Sequence, residues 1–475
     1  MAGATGGHMF AKESMMTEIS ELTALELRDA LRHGEVGARE AAAHFLERIE
    51  ALNPALGSFV TVTAERAMDA AAQADSDLAA GHAPGMLHGM PLAYKDLLDV
   101  AGVPTGYGTA AFEPTLAQKD SPLVATLSRA GAISLGKTQV PEFGLSCHSE
   151  NDVAPPARNP LDPTRSAGGS SGGEAAAVAA GMLPFGPGND GGGSVRIPAS
   201  ACGLIGLKPG LGTIPSDILD GTVDAFGAPR LTVSGPLART ALDAALLMDA
   251  MVDPERETYL ESLGEGAVDA LRGLRIGVST ASPFASAYAI KLSSDAHAAL
   301  DAGFKSLRAR GHHLEEAEIF YDGAYPETFA TVWTSGLAAA PIPPGSEAKL
   351  GTLARSFRER ATAREHRTSV EAAARLTEIA ADFRTQWGRY DVVLTPAMAF
   401  APPEIGFYTS QDADTDYMRQ CQYTPYTSMV NVSGLPAITV PTFTTAEGLS
   451  MGVQMIGRAG SEAMLLALAA QLTRM

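Results

Sequence analysis

Three side chains of this sequence have the type and setting that nucleophilic catalysis requires. Ser170 and Ser194 each lie in a run of glycines, and Lys95 ends an apolar stretch. A serine hydroxyl needs a positioned base to become a nucleophile, and a lysine can serve only where burial lowers its pKa. Two interpretations of Lys95 stay open, a buried base or a strand-end lysine that extends to water.

Residues 167–208 hold both serines, which are 24 positions apart in the sequence. An alanine-rich run between them, ended by Gly181, predicts a buried helix that fixes their separation. Glycine tolerates the backbone angles that turn several N–H groups toward one point, so the triglycine before the second serine predicts an oxyanion hole. The predicted donors are the backbone N–H groups of Gly191, Gly192, Gly193 and Ser194.

Other chemistries have weaker support in the sequence. Residues 186–191 fit the letters of a dinucleotide fingerprint, but two further glycines follow where a helix should open and no acidic residue stands about 20 positions on. A glycine-rich, non-catalytic nucleotide-binding protein stays as an alternative. Cys147 adjoins His148, yet a thiol nucleophile usually takes its histidine from elsewhere in the chain. The histidines lack metal-site spacing, so neither a metal nor a cofactor is expected.

Composition narrows the class of protein. The chain has 475 residues, 45% of them hydrophobic, and a net charge of −19, which fits a globular protein and opposes binding to nucleic acid or anionic membrane. The sequence contains no apolar run long enough for a transmembrane helix. Three widely spaced cysteines predict reduced thiols and a cytoplasmic location. Residues 1–14 are interpreted as a disordered remnant of an expression tag.

The remaining chain predicts one domain, residues 15–475. A capping-box pattern from Thr23 to Glu26 opens a first helix, and a second from Ala38 is expected to stop at Asn53 because proline follows. Strands then alternate with helices. We predict a single large α/β domain with a central mixed, mostly parallel twisted sheet of about ten strands covered by helices, and a mostly helical segment at residues 321–387.

Several motifs in fixed order resemble the amidase signature family over nearly the whole chain. Residues 89–96 resemble its lysine motif, residues 168–173 its Gly-Gly-Ser-Ser-Gly-Gly motif, and residues 190–198 its nucleophile motif. Residues 87–210 correspond to the core signature region. The resemblance implies the family fold, described above, and an amidohydrolase of the aryl acylamidase or urethanase type.

The resemblance also implies a role for each candidate residue. Ser194 is the expected nucleophile, Ser170 the bridging serine after a cis peptide bond, and Lys95 the base. Supporting roles are expected for three further residues. These are Ser171, which would add a hydrogen bond to Lys95, and Asp190 and Arg196, which would brace the loop.

Substrate expectations rest on where the chain departs from the family pattern. Leu211 and Thr213 stand where many relatives carry arginines, so no anchor for an acidic substrate is expected. We therefore expect a small neutral, partly aromatic amide, with carbamates and esters as side substrates, and a monomer or homodimer. The alternative is the glutamine-hydrolysing subunit of a tRNA-dependent amidotransferase. Specificity is expected from residues 143–148, 321–344, 395–403 and 421–428.

Overall fold

The computed structural model describes residue 19 and residues 21–473, so the predicted N-terminal remnant lies outside the described residues. The strands are β1 (Phe59–Val62), β2 (Pro91–Lys95), β3 (Pro104–Thr105), β4 (Thr115–Leu116), β5 (Ile133–Thr138), β6 (Arg158–Asn159), β7 (Asp162–Ser166), β8 (Phe185–Asp190), β9 (Ile205–Lys208), β10 (Val233–Ala238), β11 (Arg275–Val278), β12 (His313–Glu316), β13 (Val392–Pro396), β14 (Ala437–Thr444) and β15 (Ser450–Gly457).

The helices surround these strands. They are α1 (Ala24–His33), α2 (Ala38–Leu56), α3 (Ala64–Ala79), α4 (Pro122–Arg129), α5 (Gly172–Ala179), α6 (Arg196–Cys202), α7 (Ala241–Val252), α8 (Thr258–Ser262), α9 (Ala267–Ala270), α10 (Ser294–Ala309), α11 (Tyr325–Ser335), α12 (Thr352–Ala363), α13 (His366–Trp387), α14 (Ala413–Tyr423), α15 (Ser428–Ser433) and α16 (Glu462–Thr473). Single 3₁₀ turns lie at Glu142–Gly144, Pro215–Ile218, Gly336–Ala339 and Glu347–Lys349.

A mixed sheet of eight strands forms the centre of the molecule, in the order β12-β11-β13-β15-β14-β9-β10-β8. Strands β1, β5 and β2 form a separate three-stranded sheet, and β3–β4 and β6–β7 are small hairpins. Helices α5, α7 and α16 are almost completely buried against these strands. The predicted α/β domain with a mixed, helix-covered sheet is therefore confirmed.

The predicted direction and number of the strands were wrong. The main sheet has eight strands rather than about ten, and only β11–β12 and β11–β13 pair in parallel. The other neighbours pair antiparallel. Strands β8 and β9 do form a β-α-β unit through α6, but β10 inserts between them and runs the opposite way. A strand buried on both faces is an apolar run in either direction, so its sequence does not encode that direction.

Of two local signals for helix ends, one is followed and the other is overridden by hydrogen bonds of Asn53. The capping box of α1 is formed as predicted. The side chains of Thr23 and Glu26 each accept the backbone N–H of the other residue. Helix α2 continues through Pro54 and ends at Leu56 instead of stopping at Asn53. The carbonyl of Asn53 accepts the Gly57 N–H at 2.8 Å, and its side-chain amide makes two bonds with the backbone of Phe59. These contacts hold the turn despite the proline.

Three elements deliver the candidate catalytic residues. Lys95 is the last residue of β2, Ser170 lies in the loop before α5, and Ser194 lies in the loop between β8 and α6. The buried helix predicted between the serines is α5. Its second glycine, Gly173, lies so close to Gln139 that a Cβ there would come within 2.4 Å of the Gln139 backbone nitrogen. This close packing fixes the first serine loop against the three-stranded sheet.

Candidate active site

Lys95 is a buried lysine and does not extend to water. Its side chain is 1% exposed. Its Nζ lies 2.9 Å from Ser170 Oγ and donates a second hydrogen bond to the carbonyl of Asn189 at 3.2 Å. Asn189 belongs to β8, the edge strand of the main sheet, whereas Lys95 ends the edge strand of the smaller sheet. The lysine therefore bridges the two sheets and contacts the hydroxyl of the first serine loop.

Burial determines the protonation of this lysine. Desolvation lowers the pKa of Lys95 to about 7, against the opposing negative charges of Asp190 and Glu174. Moving an ammonium group out of water disfavours its charged form. At a pH near neutral a large fraction of Lys95 is a neutral amine, which is the form able to accept a proton.

The loop that carries Ser170 is held by its neighbours. The Gly169–Ser170 peptide bond is cis, as expected. Ser149 Oγ donates to the Ser170 carbonyl at 3.4 Å and accepts the N–H of Gly172 at 3.0 Å. A Cβ on Gly169 would meet the backbone of His148 at 2.6 Å, so only glycine fits there. These contacts leave the Ser170 hydroxyl directed at Lys95.

Asp190 shapes the loop that carries Ser194. Its carboxylate accepts the N–H of Gly193 at 2.8 Å and the N–H of Val195 at 3.1 Å. The two serine loops are joined directly, because the Ser171 N–H donates to the Ser194 carbonyl at 3.2 Å. One carboxylate and one backbone bond thus set where Ser194 stands relative to Ser170.

The oxyanion prediction needs one correction. The N–H of Gly193 is engaged by Asp190, so it does not point to a shared anion site. Within the described ranges no hydrogen bond is found from the N–H groups of Gly191, Gly192 or Ser194. The Gly192 carbonyl accepts the Thr427 hydroxyl at 2.6 Å, which fixes the orientation of that peptide. The sequence showed the triglycine. It did not show that Asp190, which directly precedes the triglycine, accepts the N–H of Gly193.

Asp190 and Arg196 form a buried ion pair beneath this loop. The Arg196 guanidinium donates to both Asp190 oxygens, at 2.8 and 3.0 Å, and neither side chain is exposed. Further donors from Arg196 reach Thr427, Gln454 and Asn431. Burial opposes the charged carboxylate, but Arg196 holds the pKa of Asp190 well below its usual range. The pair makes these hydrogen bonds within the protein, and neither residue lines the cavity beside Ser194.

The expected contact between Ser171 and Lys95 is absent. Ser171 Oγ is buried and finds no hydrogen-bond partner in the described part of the chain. The hydroxyl lies instead against β8, where a Cβ on Gly188 would come within 2.8 Å of it. The tight turn into α5 directs consecutive side chains differently, so only the first serine of the pair reaches the lysine.

Comparison with known proteins identifies this arrangement. The amidase family matches residues 40–466 of the chain. AmiB2 of Mycobacterium tuberculosis, an amidase by its name, is 36% identical over 438 residues, which cover 90% of each chain. Among solved structures, 6-aminohexanoate cyclic dimer hydrolase is 27% identical with a TM-score of 0.83 and covers 96% of both chains. A bacterial aryl acylamidase of the amidase signature family gives a TM-score of 0.82 at 23% identity, over 95% and 96% of the two chains.

The chain belongs to the amidase signature family. It is a hydrolase of amide C–N bonds. The order of the lysine and serine motifs along the chain and the architecture around them agree with that assignment.

A cavity beside Ser194 is lined mainly by apolar and aromatic side chains. Phe329 and Trp333 of α11 form one wall, with their rings stacked 5.8 Å apart. Among the described residues that line this cavity, none carries a charge. Three of the four segments expected to set specificity contribute to it, whereas residues 395–403 do not. The other lining residues are Leu145, Ser146, Cys147, Gly192, Ser194, Ile197, Phe284, Tyr417, Gln420, Cys421, Thr424 and Ser428.

Two contributors to this amidase site were missed at the sequence level. Asn189 contacts Lys95 through its backbone carbonyl, a contact that leaves no mark in residue type. Glu174 lies in the first turn of α5, is completely buried and accepts the Thr138 hydroxyl at 2.9 Å. Desolvation raises the pKa of Glu174 well above its usual value. A glutamate inside an otherwise alanine- and glycine-rich helix was the available signal.

The competing chemistries have no support in the structure. Residues 186–190 of the nucleotide-like fingerprint belong to β8, and no helix follows Gly191 directly. All three cysteines are unpaired and buried, and desolvation raises the pKa of Cys147 well above its usual value. In the described ranges no group of three or more His, Cys, Asp or Glu side chains could hold a metal ion. No described helix is long and apolar enough to cross a membrane.

Proposed function

We propose that Ser194 is the nucleophile of this amidase, Ser170 the bridging serine and Lys95 the base. The observation that carries the proposal is the 2.9 Å contact between Lys95 Nζ and Ser170 Oγ, made by a lysine whose pKa burial lowers to about 7. A hydroxyl both donates and accepts, so Ser170 can pass a proton in either direction. The loop of Ser194 is tied to that of Ser170 through the Ser171 N–H.

Acylation follows from these roles. Neutral Lys95 takes the Ser170 proton while Ser170 takes the proton of Ser194, and Ser194 Oγ attacks the amide carbonyl carbon. The negative oxygen of the tetrahedral intermediate is held by the N–H groups of Gly191, Gly192 and Ser194. As the C–N bond breaks, the protonated lysine returns its proton through Ser170 to the leaving nitrogen. The amine departs and an ester on Ser194 remains.

Deacylation uses the same groups with water in place of the serine. Water attacks the ester carbonyl and gives its proton through Ser170 to Lys95. Collapse of the second tetrahedral intermediate breaks the C–O bond, and the proton returns to Ser194 Oγ. The cycle therefore consumes one amide and one water and leaves the three side chains in their starting state.

The substrate we propose is a small amide with a neutral, at least partly aromatic group next to the scissile bond. The uncharged cavity with Phe329 and Trp333 supports this assignment. Leu211 and Thr213 offer no cation to a carboxylate. Aryl carbamates pass through the same kind of tetrahedral intermediate and are proposed as slower co-substrates. If the C–O bond breaks and the alcohol leaves first, a carbamoyl-serine remains, and nitrogen donation stabilises it against water.

A turnover panel tests the function. We expect kcat/KM for an acetanilide-type amide to exceed that for the matching aryl carbamate, and both to exceed that for glutamine. Ser194→Ala should abolish turnover of each with the fold intact, as measured by circular dichroism. A preference of about tenfold or more for glutamine would refute the proposed substrate and favour an amidotransferase subunit. A single burst with the carbamate, followed by no turnover, would make carbamates inhibitors.

A further inference from the structure

A second cavity adjoins the Ser194 cavity. Leu145 and Ser146 line both cavities, and the second has a volume of about 110 Å³. Its floor is built from His148, Glu150 and Asp416, none of which the proposed mechanism uses. We call it the acidic cavity. A ligand for this cavity would refine the substrate of the proposed function. Only the link between this ligand and turnover rests on that proposed function.

His148 lies between two carboxylates without reaching either. Its ring is 3% exposed and stacks on Tyr408 with centroids 4.7 Å apart and planes 7° from parallel. Nδ1 is 3.7 Å from Glu150 Oε1, and Nε2 is 3.9 Å from Asp416 Oδ1. Both separations are longer than a hydrogen bond. In the described part of the molecule neither ring nitrogen has a hydrogen-bond partner.

Each of the two carboxylates accepts one hydrogen bond from the protein. Glu150 Oε2 accepts the N–H of Gly406 at 2.8 Å, while the buried Oε1 has no hydrogen-bond partner among the described residues. Asp416 Oδ1 accepts the side-chain amide of Gln420 at 2.8 Å. Buried polar atoms in native proteins are nearly always paired with protein, water or a ligand. Two neighbouring groups on one cavity floor, the His148 ring and Glu150 Oε1, therefore lack partners among the described residues, which indicates a bound polar ligand.

Charge indicates which donor. Burial lowers the pKa of His148 to about 3, so its ring is neutral and keeps one acceptor nitrogen. Burial raises the pKa of Asp416 to about 6, which leaves it mostly ionised at neutral pH. Glu142 and Asp152 also line the cavity, against a single cation, Lys349. A cavity in which carboxylates outnumber the lysine, in a chain of net charge −19, favours a cationic ligand.

We propose that the acidic cavity binds a primary ammonium group. Its three N–H donors match Glu150 Oε1, the Asp416 carboxylate and one nitrogen of His148. Such charge-assisted hydrogen bonds are stronger than those of a neutral donor. The ligand is either the ammonium end of a substrate whose amide lies at Ser194 or a free alkylamine, such as a released product.

Gln420 connects this site to the active site. Its amide nitrogen donates to Asp416, its Oε1 accepts the Cys147 N–H at 2.9 Å, and its side chain lines the Ser194 cavity. The two cavities thus share Leu145 and Ser146 as a wall, and Gln420 joins Asp416 of the acidic cavity to the lining of the Ser194 cavity. A substrate with an ammonium group beyond that wall would be oriented by both cavities.

Calorimetric titration of the unmodified protein with n-butylammonium chloride tests the ligand without any turnover, so a wrong mechanism would not affect the result. n-Butanol, of similar shape and no charge, is the matched control ligand. We expect saturable binding of the ammonium and none of the alcohol. Glu150→Gln and Asp416→Asn should each weaken it by about tenfold or more. Glu447→Gln removes one exposed carboxylate from the β14–β15 turn and should leave the affinity unchanged, which controls for net charge.

Two outcomes would overturn the proposal. One is equal binding, or no binding, of the ammonium and the alcohol to the unmodified protein. The other is a nitrogen NMR spectrum in which the His148 imidazole carries both protons at pH 7, because the histidine would then itself be the cation between the carboxylates. Melting curves of the variants separate a loss of binding from a loss of fold. The titration of the unmodified protein tests ammonium binding without any variant.

Turnover then distinguishes the two sources of the ammonium. Anilides of ω-amino acids of increasing chain length are compared with their neutral methyl-ended counterparts. A kcat/KM preference of about tenfold for one ammonium chain length, lost in Glu150→Gln and retained in Glu447→Gln, assigns the cavity to the substrate. Equal kcat/KM values, together with saturable inhibition by n-butylammonium, assign it to a free amine.

Discussion

Two strands of this amidase end in a buried lysine, and only one of the two is proposed for catalysis. Lys95 ends β2 and Lys208 ends β9, and each is 1% exposed. Burial lowers the pKa of both to about 7, for Lys208 with the nearby Arg196 adding to the effect. Lys95 contacts the Ser170 hydroxyl, whereas the hydrogen bond of Lys208 goes to the carbonyl of Pro209 at 2.7 Å.

The difference lies in the partner and not in the pKa. A carbonyl oxygen only accepts hydrogen bonds, so Lys208 has no group from which it can take a proton. A hydroxyl can give its proton and receive another, so Lys95 has a path toward Ser194. A perturbed pKa marks a functional candidate only with some probability, and here the neighbouring atom decides between the two lysines.

The largest expected effect comes from removing each lysine in turn. Lys95→Met should lower kcat/KM by about 10³-fold or more, because the proposed base is lost. Lys208→Met is the matched control, with the same side chain introduced at a strand end of equal burial, and should change kcat/KM by less than about tenfold. Initial rates with the acetanilide-type amide measure both.

Equal losses in the two variants, with both proteins folded by circular dichroism, would show that the lysines are not distinguished by their partners. A Lys95→Met enzyme with a near-normal rate would remove Lys95 from the mechanism. Combining Lys95→Met with Ser170→Ala should cost little beyond the single changes, since residues that act as a unit are not additive.

The next effect tests the partner itself. Ser170→Ala leaves Lys95 with only the Asn189 carbonyl, which converts its surroundings into those of Lys208. We expect a loss in kcat of about 10²-fold to 10⁴-fold. Ser171→Ala removes a hydroxyl that has no partner in the described residues and should leave kcat within about threefold. A larger loss in Ser171→Ala than in Ser170→Ala would contradict the observed orientation of the two serines.

The apolar sequence around each lysine could not have separated the two. Lys95 follows Leu92, Ala93 and Tyr94, and Lys208 follows Ile205, Gly206 and Leu207, so both end apolar strands. The family motif selected Lys95, while its partner depends on a loop 75 residues away. The contact to the Asn189 carbonyl was equally invisible, because a backbone oxygen is present at every residue.

Other parts of the fold also divide into features that the sequence predicts and features that it does not. The helix between the serines and the capping box of α1 were predictable, because each depends on residues close together in the sequence. The antiparallel insertion of β10 between β8 and β9 was not, because it depends on distant pairing. The engagement of the Gly193 N–H by Asp190 was also missed, although only three positions separate the two residues. Loop geometry, and not residue type, decides where each N–H points.

The pH dependence of the rate is the third test. A base with a pKa of about 7 predicts that kcat/KM rises with pH through about 7 and then levels off, since the neutral amine is the active form. Lys208→Met should keep this limb unchanged. Burial lowers the pKa of His148 to about 3, so we expect no limb near 7 from this residue. Loss of the limb in Lys208→Met, or its retention in Lys95→Met with a measurable rate, would reverse the assignment of the two lysines.

The smallest expected effect concerns stability, where the two lysines should behave alike. Each has a folded pKa of about 7 and a reference value of 10.5, so between these values the unfolded chain binds a proton that the folded chain does not. The free energy of unfolding therefore rises with pH in this window, by up to about 1.4 kcal/mol per unit for each lysine. Below the folded pKa both forms are protonated and the slope disappears.

Chemical denaturation at about pH 7.5 and about pH 9 should show an equally reduced slope in Lys95→Met and Lys208→Met. Equal slopes beside unequal rates would establish that burial sets the protonation of both lysines and that Ser170 alone makes one of them a base. A reduced slope only in Lys208→Met would mean that Lys95 stays charged in the folded protein, and the proposed base would fail.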